Sequence, residues 1–117
     1  MSQNLYPRAT EYRVKSGSRA TLEATIQDSA GTAKSLANTV TYATGRWKVW
    51  KPDGTLVING AVTYSDRVNG KITYALTATD TAIANAGNWS GEIELLNSAG
   101  VMSEQTKSFN FTIEESY

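Results

Sequence analysis

With 117 residues and neither cysteine nor histidine, the chain fits one domain held by packing and ladder hydrogen bonds, because no disulfide framework and no thiolate metal site is available to it. The missing histidine also removes the commonest general base, zinc ligand and neutral-pH switch, which argues against a hydrolase or a metalloenzyme. Eleven basic and eleven acidic residues sum to zero, where a dedicated nucleic-acid binder would be basic.

The charges are unevenly spread: up to Lys51 there are eight basic residues against three acidic, and beyond it eight acidic against three basic. In a sandwich whose halves interleave this gives a mixed surface; the other reading is a basic and an acidic pole suited to head-to-tail contact. The first twenty residues carry Arg8, Glu11, Arg13, Lys15 and Arg19 with no apolar run. The expectation is therefore no secretory leader, no membrane span and synthesis in the cytoplasm of a host cell.

In chain order, Met1 to Pro7 is polar apart from Leu5 and Tyr6, and the segment 1–8 reads as an arm, loose or docked on a partner, ahead of a single domain at 9–115. Tyr12 and Val14 share one face of a strand that Ser16-Gly17-Ser18 breaks. Ala20, Leu22, Ala24 and Ile26 alternate with Thr21, Glu23 and Thr25, the pattern of a half-buried antiparallel strand, closed by the turn Asp28-Ser29-Ala30-Gly31. A loop follows around Leu36, then a short strand at Val40 to Tyr42. From Gly45 to Lys51, Trp47 and Val49 take one face and Arg46, Lys48 and Trp50 the other.

Lys51-Pro52-Asp53-Gly54 is a strong turn, and Thr55 to Ile58 returns from it as a hairpin partner. Asn59-Gly60 reads as a second tight turn into Ala61 to Ser65. Ile72, Tyr74 and Leu76 alternate along the strand opened by Asn69-Gly70, and Thr79 to Ala84 reads as one helical turn capped by Thr79 or Asp80. Trp89, Ile93 and Leu95 share a face of the strand Gly87 to Leu96. After the turn Asn97-Ser98-Ala99-Gly100, Val101 to Ile113 reads as one last strand. Short strands at this spacing predict an all-β, antiparallel immunoglobulin-like β-sandwich.

Few residues invite chemistry. Trp50 lies opposite the core parity and beside Lys48, which suits a protein interface or a sugar-stacking platform, against packing beneath the Pro52 turn. Trp47 and Trp89 are assigned to the core, in the place a disulfide and its tryptophan take in antibody domains. Glu92 and Glu94 share a strand face, but without further oxygen ligands or a cleft they read as a solvated face rather than a calcium site or glycosidase pair. Arg13, Lys15, Arg19, Arg46, Lys48 and Lys51 have too little aromatic interleaving for a nucleic-acid patch. Asn88-Trp89-Ser90 is a glycosylation sequon that carries no weight without a leader.

The run Trp47-Lys48-Val49-Trp50-Lys51-Pro52-Asp53-Gly54, the strand Val68-Asn69-Gly70-Lys71-Ile72-Thr73-Tyr74-Ala75-Leu76, then Ala86-Gly87-Asn88-Trp89 and Phe109-Asn110-Phe111-Thr112-Ile113 together resemble the N-terminal domain of tailed-phage upper baseplate proteins. The likeness runs from Val14 to Ile113. It implies an assembly module that docks on a virion protein and hands on to a receptor-binding or fibre region, with no catalytic residue, cofactor or metal to carry over. Because the chain ends at Tyr117 without a fibre, the expectation is an accessory virion protein at the baseplate or tail, or a decoration on the capsid. The expected partners are other virion proteins and further copies of the chain, not nucleic acid or membrane. The expected contact residues are Leu5 and Tyr6 in the arm and Trp50 with Lys48 on the exposed face. A carbohydrate-binding adhesion module using Trp50 on a cell-surface glycan is the alternative.

Overall fold

The computed structural model describes residues 2–7, as backbone, and residues 11–115. Ten strands follow one another among these residues: β1 Ser2–Pro7, β2 Glu11–Lys15, β3 Thr21–Gln27, β4 Thr44–Trp50, β5 Leu56–Ala61, β6 Thr63–Asp66, β7 Lys71–Ala75, β8 Gly87–Leu96, β9 Met102–Thr106 and β10 Phe109–Glu114. A single 3-10 turn, Ile83–Asn85, lies between β7 and β8.

The larger sheet is built around β8. On one side β8 pairs with β4, which pairs with β5. Along its other side lie β10 and then β9, end to end. The smaller sheet runs β6, β7, β3, and β1 joins the two sheets by pairing with β9 through Ser2 and Leu5 and with β3 through Tyr6 and Pro7. The result is the expected all-β sandwich of immunoglobulin-like type. Two pairings, β1 with β9 and β2 with β10, are parallel. No hairpin connects the first strands to the last ones, so nothing forces them to run antiparallel.

Alternation fills the space between the sheets. Trp47 and Val49 of β4, Ile58 of β5, Ile93 and Leu95 of β8 and Phe109, Phe111 and Ile113 of β10 face Ala24 and Ile26 of β3 and Ile72 and Tyr74 of β7, all buried. Trp47 is the hub: its ring meets Tyr12 edge-on at 5.0 Å, Phe109 at 5.3 Å and Tyr74 in a stack at 6.1 Å. Half-buried Tyr12 has its hydroxyl pKa pushed up to about 12, first by burial and then by the charge of Glu23.

The structure corrects several expectations. Asn59 and Gly60 form no turn; they lie inside β5 opposite Lys48 and Trp47, because the Tyr74 ring occupies the place a Cβ at residue 60 would take. Val40 to Tyr42 is a turn, its first amides held by Asn38 Oδ1 and by Tyr42 N donating to Asn38 O. The last segment is two strands: Lys107 and Ser108 separate β9 from β10, and Thr106 turns inward there so that its hydroxyl oxygen accepts the Ile93 N–H at 3.1 Å. The helical turn, Ile83–Asn85, starts later than expected and has no side-chain cap; Thr77 and Asp80 instead brace the turn before it, where Thr77 Oγ1 accepts from Asp80 N and Asp80 Oδ2 accepts from Thr77 N, a reciprocal box. The Tyr74 hydroxyl donates to the same carboxylate oxygen.

Three ion pairs join early bases to late acids: Arg13 and Lys15 to Glu114, and Lys48 to Glu94. The uneven charge of the sequence is thus interleaved by the topology.

Candidate functional site

Outward-facing positions of the larger sheet carry polar residues, and at one end of the sheet they lie beside Trp50, on the same face, and Trp89, of the opposite parity. Trp50 is the last residue of β4, in register with Ser90 of β8 and Leu56 of β5. Trp89 has the same parity as Ile93 and Leu95, but it stands near the beginning of β8 and is only half-buried. It packs only partly against the core, so its assignment as a core residue is corrected to a rim residue. Its position is fixed on two sides: Nε1–H donates to Asn85 O at 2.8 Å, and the ring lies where a Cβ at Gly87 would be.

Two adjoining depressions share Asn88, Trp89 and Ser90. One, of about 310 Å³, is completed by Trp50, Lys51 and Pro52; the other, of about 340 Å³, runs across β10 and β2 past Asn110, Thr112, Glu11 and Arg13. Both fall at the small end of the range for ligand sites, about 300–1,000 Å³. Lys51 Nζ stands 5.3 Å from the centre of the Trp89 ring. Arg13 is gripped by Glu11 at 2.8 Å and Glu114 at 3.1 Å, and Thr112 Oγ1 donates to Asn88 Oδ1 at 2.8 Å. Among the described residues, the Asn88 Nδ2, Ser90 hydroxyl, Asn110 amide and Trp50 indole N–H keep their hydrogen-bonding capacity for solvent or a ligand.

Of the residues singled out in the sequence, Trp50 lies in this groove. Lys48 does not: its ammonium is committed to Glu94 at 2.8 Å, in a pair whose side chains are 22 % and 14 % exposed. Leu5 and Tyr6 belong to β1, where their backbone is paired within the chain; their side chains lie outside the described residues, as does the boundary at residues 8 and 9. Asn88, Ser90, Asn110 and Thr112 were not anticipated as a group, since two strands distant in sequence, β8 and β10, bring them together. Glu92 faces outward opposite Lys48, but Lys48 turns to Glu94. Partial burial first, and the Glu94 charge second, raise the Glu92 carboxyl pKa above its ordinary value. No three metal-ligating side chains come together among the described residues.

The opposite end of the sandwich has another character. Three of the five large apolar side chains left exposed among the described residues, Val40, Val68 and Val101, tip its loops at 64 %, 66 % and 60 % exposure. Arg67 stitches those loops together, donating to Leu36 O at 3.1 Å, Tyr42 O at 2.7 Å and Ala43 O at 3.4 Å. Its guanidinium lies 3.9 Å from the Tyr64 ring centre. Val40 O accepts from Ser98 N and Val101 O from Asn97 N, each at 2.9 Å.

A rigid sandwich with a solvent-facing groove at one end and apolar loop tips at the other defines a recognition module. The chain belongs to the BppU N-terminal domain family, whose pattern it matches over residues 4–117. It is a structural module of a phage baseplate and a component of the virion. Its fold is similar to that of the N-terminal domain of phage TP901-1 ORF48, at 14 % identity over 87 % of this chain and 82 % of that one, with a TM-score of 0.64. It is also similar to CopC from Methylosinus trichosporium OB3b, at 13 % identity over 97 % and 96 %, with a TM-score of 0.52. At these identities the likeness is one of fold. No curated protein matches the chain in sequence.

Proposed function

We propose that the chain is a non-enzymatic assembly module that docks onto another virion protein through the loop end tipped by Val40, Val68 and Val101. The observation that carries this reading is the pairing of exposed apolar tips with a preformed frame. The loops between β3 and β4, β6 and β7, and β8 and β9 would be the most mobile parts of such a sandwich, yet Arg67 ties the first to the second and the Ser98 amide ties the first to the third. A surface ordered before contact loses less entropy on association. Burying each valine against a partner contributes about 1–2 kcal/mol.

The test is capture from dissociated phage particles, with bound virion proteins identified by mass spectrometry. The wild-type chain is expected to retain one virion protein, and the double variant Val40→Asp, Val101→Asp to lose it while melting as the wild type does. Undiminished capture by the variant would remove the docking end from consideration, and failure of the wild type to retain any virion protein would remove the docking function itself.

A further inference from the structure

We propose that the groove between Trp50 and Trp89 is a binding site for a neutral saccharide, at the end of the sandwich opposite the loops assigned to docking and independent of that assignment. A pyranose ring presents a face of C–H groups and a rim of hydroxyls, each able to donate and accept. A complementary site therefore needs an aromatic plane for the face and fixed, mostly uncharged donors and acceptors for the rim. The groove has both.

Trp50 makes no ring contact with another aromatic side chain among the described residues, which leaves it as the stacking plane, while Trp89, which lines both depressions, is held by Asn85 O and by the bare backbone of Gly87. The rim partners are Asn88, Ser90 and Asn110, on two neighbouring strands with their side chains exposed. The Thr112 hydroxyl occupies Asn88 Oδ1, which leaves the Nδ2 protons of that amide for a ligand. All of these stand on paired strands rather than on loops, so the site is formed before ligand arrives.

Charge selects the class of sugar. Charges of both signs flank the groove and each already has a partner: Arg13 is gripped by two carboxylates, and the Lys51 ammonium stands over the Trp89 ring. An acidic sugar would meet the Glu11 carboxylate beside Arg13, and a cationic one would meet Lys51. A proline-rich peptide would also stack on indoles, but beyond Trp89 the second depression is lined by two amides, two hydroxyls and an ion pair, so its next proline would meet mostly polar groups. The two depressions in series fit a short run of linked sugars.

The three tryptophans make the experiment internally controlled. With 15N-labelled protein, the three indole N–H resonances are followed while cellotetraose, maltotetraose, N-acetylchitotetraose and a decaproline peptide are titrated in separately. Saturable movement of the Trp50 and Trp89 signals with at least one tetrasaccharide, with buried Trp47 unmoved, is the expected result. Trp50→Ala is expected to weaken that binding about tenfold or more without lowering the melting temperature. Asn110→Ala is expected to weaken it less. Immobilised bacterial-wall polysaccharide and a glycoprotein bearing the same sugars, tested side by side, tell a cell-surface source from a protein-borne one, and retention on either supports the site. No indole shift with any sugar, an equal shift in Trp50→Ala, or saturation by decaproline alone would overturn the proposal. Because Val40→Asp, Val101→Asp leaves the groove intact, loss of virion capture and loss of sugar binding are separable.

Discussion

The two ends of this sandwich are stiffened by different means. At the loop end one cation does most of the work, beside the bond from Ser98 N to Val40 O: Arg67, set between β6 and β7, reaches carbonyls 24 to 31 residues away and stacks on Tyr64. At the groove end no single residue has that part: short connections close on themselves, Thr77 with Asp80, Asn85 with Trp89 and Gly54 with Lys51, and separate longer-range bonds, Thr81 to Ser18 and Thr112 to Asn88, each hold one piece. A long connection has no regular ladder of its own, so a single multidentate donor can hold it only if the donor is placed by the fold. A short connection can close on itself. The loop end should therefore fail as a unit when one residue is removed, and the groove end should fail piece by piece.

Arg67→Ala is the variant expected to have the largest effect. It leaves the carbonyls of Leu36, Tyr42 and Ala43 without their charged donor, and the expected loss is about 2–4 kcal/mol by denaturant unfolding. Arg67→Lys should recover little of it, since one ammonium cannot replace the fork of a guanidinium. Hydrogen exchange should accelerate at the Leu36 amide, which donates to Arg67 O at 2.7 Å, while the Trp50 and Trp89 indole signals stay in place. If the groove signals move as well, the two ends are coupled and are not held independently.

Gly60→Ala comes next, and it probes the middle. A methyl group at residue 60 meets the Tyr74 ring, which stacks on Trp47 and whose hydroxyl is bound to Asp80. Either the ring shifts and the Thr77 to Asp80 box loosens, or β5 is pushed from β4. The expected destabilisation is about 1–3 kcal/mol, read by thermal unfolding. Spectral change confined to the groove end would show that Tyr74 transmits the strain toward Asp80.

Gly87→Ala should cost less, about 1–2 kcal/mol, because it adds a side chain at a φ of 151° and against the Trp89 ring at an end that has only its own contacts to lose. The Trp89 indole resonance should move and sugar binding fall, with virion capture unchanged. An unmoved Trp89 signal would show that the indole does not rest on Gly87.

What the sequence revealed divides along the same line. Trp47, Ile93 and Phe111 were legible because alternation is a local property and the pleat enforces it over a whole strand. The turn at Lys51 to Gly54 was legible because proline and glycine fix it within four residues. Gly60 was misread as a turn residue because the reason for it, the ring of Tyr74, lies across the core. Trp89 was misread because parity says which way a side chain points and not whether anything stands opposite it. The division of the last strand left a trace: Lys107 falls at core parity in an unbroken strand, and its exposure shows that the register slips there. Arg67 left none, since its carbonyl partners have no sequence signature. The same holds for the groove, where Trp50 stood out by parity but Asn88, Ser90 and Asn110 read as ordinary outward positions until β8 and β10 were paired.

The smallest expected effect concerns the face between the two ends. Glu92 lies opposite Lys48, but the ammonium is bound to Glu94, so Glu92 keeps a carboxylate neighbour and is partly buried, and its pKa is raised. The folded chain thus holds the Glu92 proton at pH values where the unfolded chain has released it. The contribution of this group is fully present below the ordinary glutamate pKa and is lost as pH rises through the raised one. At neutral pH the charged Glu92 opposes folding. Glu92→Gln is therefore expected to stabilise the chain at pH 7, by under about 0.5 kcal/mol given screening by water, and the advantage should vanish on acidification below the ordinary carboxylate range. Glu94→Gln should destabilise the chain at pH 7, because it strips Lys48 of its partner. Paired pH titrations of unfolding free energy for the two variants check both signs, and equal effects would mean that Lys48 is shared between the two carboxylates rather than held by Glu94.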